Sequence, residues 1–277
     1  PDMPRHRAIR KLGFARLPAA GGPRLAFMLP RQTLLAQAMD GPAETLVFQP
    51  PLDSPAFAAY GASGTLEAWQ AMIAPLTGHP LFVFALCAGL AGPFVELAGV
   101  DNTILHFHGP SSVGKTTLLQ LAASVWGAAL DPQHSGTRTT LIERWHATGN
   151  AMELLTAIHS GIELVIDELG GNTDPLLSIY NITAGRGKQR MAEGGGLRAQ
   201  LRWSLFVISS GELALVEKIE TASGRRAKTG EVIRAMDIPV ADLADPKGLS
   251  DAETGRRVQA IKQQCGELYG TAGPALI

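Results

Sequence analysis

The sequence predicts an α/β protein: a mostly parallel sheet flanked by helices, with a smaller subdomain in front of it. Three observations carry that reading. From residue 103 onward short β-rich runs alternate with helical ones, the pattern of crossover connections. The runs at Glu163 to Ile166 and Trp203 to Ile208 are apolar throughout, as in strands covered on both faces. A glycine-rich loop joins the first of these strands, Thr103 to His108, to the helix that follows it.

Residues 1–61 are rich in Pro and Gly, with short apolar runs at Arg24 to Leu29 and Thr45 to Phe48, and read as an N-terminal β/loop subdomain. The chain opens on Pro1, not Met, as a piece of something longer would. The central unit, 62–240, starts with Leu66, Trp69, Met72 and Ile73 at helical spacing. Pro80 to Val95 follows, sixteen residues without a charge. A spanning helix needs about 20 apolar residues, and Pro93 shortens this run, so it reads as a buried core helix and not a membrane segment.

After the strand at Thr103 to His108, Lys115 to Trp126 is helical, with Leu118, Leu119, Ala122 and Val125 on one face and Gly127 as its C-cap. Thr140 to Trp145 is a weaker strand. Asn150 and Glu153 have capping-box spacing at the head of a helix that turns Ala151, Leu154, Leu155 and Ile158 inward. Leu213 to Ile219 reads as a helix and Glu231 to Ile238 as the last strand. The tail, 241–277, is polar and helical from Asp251 to Leu268.

Composition narrows the function classes. The 277 residues are 45% hydrophobic and 18% charged, a globular balance, and 24 basic against 25 acidic residues leave a net charge of -1. That excludes a uniformly basic nucleic-acid coat while leaving room for local basic patches. Cys87 and Cys265 form no CxxC pair, which argues against a disulfide scaffold or cysteine zinc site and fits a reducing cytoplasm.

The chemistry is carried by one loop and one strand. Gly109-Pro-Ser111-Ser112-Val113-Gly114-Lys115-Thr116, continued by Thr117, matches the phosphate-binding loop GxxxxGK[ST]. Its glycines let the backbone curl so that N–H groups face phosphate oxygens, with a helix N-terminus behind them. Lys115 is expected to reach the β- and γ-phosphates of ATP, and Thr116 to ligate Mg²⁺. The acidic partner is Asp167-Glu168 at the end of an apolar strand. Asp167 would complete the Mg²⁺ shell with Thr116, and Glu168 would orient or deprotonate the attacking water. A polar residue at the end of the next strand, Ser209 or Ser210 with Ser209 preferred, would touch the γ-phosphate or the attacking water. His106 and His108 read as structural.

Two basic clusters follow. Arg186, Lys188, Arg190, Arg198 and Arg202 stand against the single acid Glu193 in a Gly-rich loop suited to nucleic-acid phosphates. Arg225, Arg226 and, in the strand beyond, Arg234 are candidates for a residue that reaches a neighbouring subunit's γ-phosphate, with Arg226 preferred. The site otherwise lacks an obvious cation supplied in cis.

Taken together, HFHGPSSVGKTTLLQLAASVWG, ERWHATGNAMELL, VIDELGG, the GKQR loop, LRWSLFVISSGE and GEVIRAMDIP resemble the bacterial P-loop family catalogued as domain of unknown function 927, over about residues 65 to 240. The resemblance implies an AAA+-like P-loop NTPase of phages and mobile elements, similar to hexameric replicative helicases. It carries Lys115, Thr116, Asp167 and Glu168 over as nucleotide residues. It also implies single-stranded or forked DNA as a partner and a ring of identical subunits, although no full helical lid is evident after residue 240. The reading is therefore a Mg²⁺-dependent ATPase module of a helicase-like motor. The alternatives are a P-loop kinase or other small-molecule NTPase, and a non-catalytic ATP-binding regulator.

Overall fold

The computed structural model describes residues 6–18, 24–35, 45–172, 174–192, 194–240 and 251–277. At the N-terminal end, β1 (His6–Ile9) pairs in parallel with the later β5 (Thr45–Phe48). Between them, β2 (Gly13–Leu17), β3 (Arg24–Met28) and β4 (Thr33–Leu35) form an antiparallel meander. Three helices come next: α1 (Leu66–Ile73), capped by the Thr65 side chain, α2 (Pro80–Ala91) and α3 (Phe94–Ala98).

The alternating part then runs β6 (Thr103–His108), α4 (Lys115–Ser124), β7 (Ile142–Arg144), α5 (Gly149–Ile158), β8 (Glu163–Asp167) and α6 (Pro175–Thr183). It continues with β9 (Phe206–Gly211), α7 (Leu215–Ser223), α8 (Thr229–Val232) and β10 (Ala235–Pro239), and the chain ends in α9 (Asp251–Cys265) and α10 (Ala272–Leu276). Strands β10-β6-β9-β8-β7 lie in that order in one five-stranded sheet, every pair parallel. The chain therefore leaves β6, crosses over β9 and β8, and returns at the far edge in β7.

Both faces of this sheet are covered, and side-chain alternation divides them. Leu105, Phe107, Val165 and Ile208 belong to a core shared with α2, α4 and α9 and with Leu12 and Phe27 of the N-terminal meander region. Ile104, Leu164, Ile166 and Val207 belong to a second core with residues of α5, α6 and α7. The expected apolar helix is α2, which packs on α4 and accepts a hydrogen bond at the Gly89 carbonyl from Trp126 Nε1, 2.8 Å. Among the described residues no helix is long and apolar enough to cross a membrane.

Several boundaries differ from the sequence reading. The strand expected at Trp203 to Ile208 lies three residues later, because Trp203 is buried in the preceding loop with Nε1 donating to the Ile182 carbonyl at 2.6 Å. Glu231 is not in a strand: it sits at the third position of α8, capping that helix. Gly127 is no left-handed cap; a Cβ there would lie 2.3 Å from the Ala59 carbonyl oxygen, so close packing is what requires glycine. At the head of α5 the cap is Thr148, not Asn150, and Glu153 turns inward instead of closing a capping box. The tail helix stops at Cys265 and packs on α4, with Ile261 and Cys265 buried.

Candidate functional site

At the carboxyl end of β6 the chain turns sharply into α4. Gly109 (φ 155°) donates its N–H to the Gly211 carbonyl at the end of β9, 3.3 Å away. A Cβ at Gly109 would stand 2.4 Å from the Val240 carbonyl oxygen, just past β10, so only glycine fits between those two strand ends. Ser112 (φ 68°) and Gly114 (φ 96°) then take left-handed backbone, the kind of turn that makes an anion-binding concavity. No side chain caps α4, whose first two residues, Lys115 and Thr116, have no intrahelical acceptor for their N–H groups. Lys115 Nζ folds back over the loop, donating to the carbonyls of Gly109 (2.7 Å) and Pro110 (2.5 Å). Burial pushes its pKa down, against the charges of Glu212, Asp167 and Glu168.

The acid strand approaches from two positions away in the sheet. Asp167 shares the face of Val165, which is the α4 face, and its carboxylate is buried there. Its Oδ2 accepts from Thr116 Oγ1 at 3.4 Å. Its Oδ1 accepts from Ser210 Oγ and, at 3.0 Å, from the Glu168 N–H. Glu168 itself has left-handed backbone (φ 66°, ψ 61°), uncommon for a non-glycine residue, and its exposed carboxylate accepts from Gln133 Nε2 at 3.4 Å. A hydroxyl and a carboxylate converging in this way fit the oxygen-rich, partly open shell that Mg²⁺ takes alongside phosphates.

These groups line one cleft of about 550 Å³. Ser111, Ser112, Gly114, Lys115 and Thr116 lie on it, together with Asp167 and Glu168. Gly109 and Val113 do not line it, and Val113 packs on the core. Thr117 does not reach it either: its side chain is buried and its N–H is spent on the Gly114 carbonyl. Residues of α9, including Gln259 and Lys262, form part of the opposite wall, so the tail contributes to the cleft. A larger cavity, about 790 Å³, lies between Arg31, Tyr60, Trp126, Arg138 and Tyr269 and contains none of the motif residues.

The family profile for the domain of unknown function DUF927 matches residues 25–202. The chain belongs to that family. The match starts earlier than the motif-bearing run from residue 65 and stops before β9. A solved structure described as the active helicase Cch of SCCmec type IV is similar to 97% of this chain and 46% of its own, with 22% identity and a TM-score of 0.67. The apo A form of the NrS-1 C-terminal region aligns with 83% of this chain and 50% of its own, at 12% identity and a TM-score of 0.39. The chain thus spans about half the length of the solved structures it matches. At such identities the first likeness is one of fold. No curated protein matches the chain.

In this DUF927 chain the polar residue that meets the acids is Ser210, and the preference for Ser209 is corrected. Ser209 pairs in register with Ile166 and shares the face of Val207, pointing away from α4. There it is fully buried, hydrogen-bonded to Trp145 Nε1 and His106 Nδ1, each at 2.9 Å. The indole can only donate and the Leu213 carbonyl can only accept, so in the neutral ring Nε2 is the donor and Nδ1 the acceptor, and the Ser209 hydroxyl accepts from Trp145 and donates to His106 Nδ1. His106 then carries its proton on Nε2, which donates to the Leu213 carbonyl at 3.0 Å. The signal that separates the two serines is the register with Asp167, which two all-apolar strands do not disclose.

The basic residues divide by partner. Arg190 is held inside the molecule: its guanidinium bonds the buried Glu153 carboxylate (2.8 Å) and Asn150 Oδ1 (2.7 Å). Glu153 also accepts from the Lys188 N–H, so it anchors the root of the loop. Arg186 and Lys188 are exposed, and the loop between Arg186 and Arg202 folds as a hairpin with a second bridge at Met191 and Leu197; Glu193 lies outside the described residues. Arg225 grips both oxygens of Glu231 (2.7 and 3.1 Å), pulling that carboxyl to a pKa of about 2. Arg234 lies 4.7 Å over the Tyr180 ring and donates to the Gly230 carbonyl. Arg225 and Arg234 are thus engaged within the chain, whereas the Arg226 side chain is exposed and has no polar partner among the described residues.

His106 gives the site a pH signature. Burial lowers its pKa from 6.5 to about 4, with His108 and Lys115 adding to the effect and the Leu213 carbonyl and Asp237 opposing it. The fold holds the neutral ring, while the unfolded chain takes up a proton below about 6.5. Its contribution is therefore complete above that pH and is lost as pH falls toward 4. Denaturant midpoints of the parent should fall by the equivalent of roughly 2 kcal/mol more than those of His106→Gln between about pH 6.5 and 5. Parallel pH profiles would contradict the assignment.

Proposed function

We propose that this chain is the Mg²⁺-dependent ATPase module of a helicase-like, DNA-translocating motor of a phage or mobile element, an AAA+-like P-loop NTPase acting in the cytoplasm. The observation that carries the reading is the convergence of Lys115, Thr116, Asp167 and Glu168 on one cleft at the carboxyl ends of parallel strands, the usual ligand position in such sheets. The fold likeness to a solved helicase supports the class of machine. In this reading residues 62–240 form the ATPase core, 1–61 a smaller subdomain packed on it, and 241–277 the tail.

The loop N–H groups and Lys115 bind and orient the triphosphate. Mg²⁺, held by Thr116 and Asp167, supplies neutralisation of charge on the phosphate oxygens when bound. Glu168 orients the attacking water and accepts its proton. Ser210 keeps the Asp167 carboxylate aimed, as outer partners of a metal ligand do. The hairpin from Arg186 to Arg202 lines the path of single-stranded DNA, with Arg190 as its anchor and Lys188 and Arg198 among its exposed cations. Identical subunits assemble as a ring, in which Arg226 reaches the γ-phosphate of the adjoining site.

Turnover tests the chemistry. Lys115→Ala should lose nucleotide affinity, and Glu168→Gln should keep it while losing on the order of 10²-fold or more in kcat. Equal turnover in Glu168→Gln and the parent removes Glu168 from the mechanism. For the polymer, Lys188→Ala with Arg198→Ala should weaken single-strand binding and flatten its salt slope by about 0.7 per lost phosphate contact. An unchanged slope would leave the hairpin as a solvated excursion and favour a small-molecule NTPase. For assembly, mixing Lys115→Ala with Arg226→Ala subunits should restore part of the turnover, since an arginine acting in trans is worth ~10³ or more in rate. Co-assembled mixtures with no recovery at any ratio would exclude Arg226.

A further inference from the structure

The cleft contains a cation that the motif reading does not use. Besides Lys115, its wall carries Lys218 and Lys262. Lys262 is committed to Asp131, 3.8 Å away. Lys218 has no carboxylate partner among the described residues. Its ammonium donates only to the Gly170 carbonyl at 3.3 Å, a long bond to a neutral acceptor, two residues beyond Glu168. It therefore sits at the end of the cleft where the two acids stand, half-buried and weakly tethered.

The backbone that carries it is fixed at several points. Lys218 rides on α7, whose Leu215 and Ile219 are buried against the sheet. The N-terminus of that helix is fastened to β10 by Asp237, which accepts from the N–H groups of Leu215 (2.8 Å) and Val216 (3.3 Å). The turn before it is fastened to β6 by His106, through the Leu213 carbonyl. A packed helix thus presents a four-carbon stem to the cleft with its charged tip held by a single long bond, which suits a lysine that must meet a phosphate oxygen as a point charge. The charge ledger points the same way. Four carboxylates line the cleft, Asp131, Asp167, Glu168 and Glu212, against three lysines, and a triphosphate adds more negative charge.

We propose that Lys218 is a phosphate ligand acting in cis: when a nucleoside triphosphate binds, its ammonium leaves the Gly170 carbonyl and donates to a terminal phosphoryl oxygen. This rests on the nucleotide reading above and replaces the expectation that the site has no cation of its own beyond the loop lysine. The lysine stays protonated throughout, and no proton is transferred. Because a diphosphate lacks the terminal group, the residue discriminates ATP from ADP, and it neutralises part of the charge that develops on the terminal phosphoryl group in the transition state.

Binding of ADP and of a non-hydrolysable ATP analogue, each with Mg²⁺, separates this role from a structural one. Lys218→Met should leave ADP affinity within about twofold, lower analogue affinity by roughly tenfold or more, and reduce kcat by 10- to 10²-fold, in line with the loss of one charge-assisted contact. Lys218→Arg should recover most of the analogue affinity. An unchanged preference for the analogue overturns the proposal, and so does an equal loss of both affinities, which would mean that α7 had shifted. Mixing Lys218→Met with Lys115→Ala subunits should give no recovery, because both defects lie in each chain's own site; recovery overturns the assignment in cis. If the parent chain binds neither nucleotide, the nucleotide reading fails and takes this proposal with it, whereas intact parental binding with indifferent Lys218 variants removes Lys218 alone.

Discussion

The buried carboxylate of Asp167 is the interaction on which the end of the sheet depends. It accepts from Thr116 on α4, from Ser210 on β9 and from the amide of Glu168, so one side chain ties together the loop helix and two strands. A charged group out of water is tolerated only when its lone pairs are met, and here they are met by groups from three segments. The bond from the Glu168 amide coincides with a left-handed backbone at Glu168, a conformation worth of order 1 kcal/mol or more of strain. That turn leaves the Glu168 carboxylate exposed at the cleft while its neighbour Asp167 is buried.

Strand β9 separates two kinds of work on its two faces. On the α4 face, Ser210 serves the acid. On the other face, Ser209 closes a directed chain from the Trp145 indole through His106 to the Leu213 carbonyl. The direction follows from the Leu213 carbonyl, which can only accept, so the neutral His106 ring carries its proton on Nε2 and takes the Ser209 hydroxyl at Nδ1. Satisfied buried networks of this kind rigidify what they touch. What this one touches is the turn between β9 and α7, and hence the placement of the helix that carries Lys218.

The cations show how little a charge means without its partner. Arg190, Arg225 and Arg234 look alike in sequence to Lys188, Arg226 and Lys218. The first three are spent on Glu153, on Glu231, and on the Tyr180 ring with a carbonyl. Glu153 had the spacing of a helix-capping residue, but its carboxylate is buried against the Arg190 guanidinium, and a charge-assisted bond in a buried position outweighs a cap exposed to water. Lys188, Arg226 and Lys218 have no carboxylate partner among the described residues, and they are the cations to which the proposed polymer, neighbour and nucleotide contacts are assigned.

The phosphate-loop motif, the acid pair that ends an apolar strand, the alternation of strands and helices, and the uncharged helix α2 are all legible in the linear chain. Each of these is written in contiguous residues, because glycine freedom, helical period and strand apolarity are properties of a few neighbouring positions. Packing between distant segments settles the rest: Ser210 over Ser209, the tail helix as a wall of the cleft, Lys218 in the same cleft as the acids, and the partners of Arg190, Arg225 and Arg234. Those choices depend on strand register and on partners 37 or 43 residues apart, as with Arg190 and Glu153 or Ser210 and Asp167. Strands apolar on both faces do not reveal which side a polar residue at their end will take, and a charge does not announce its counter-ion; only the pairing of distant segments supplies both.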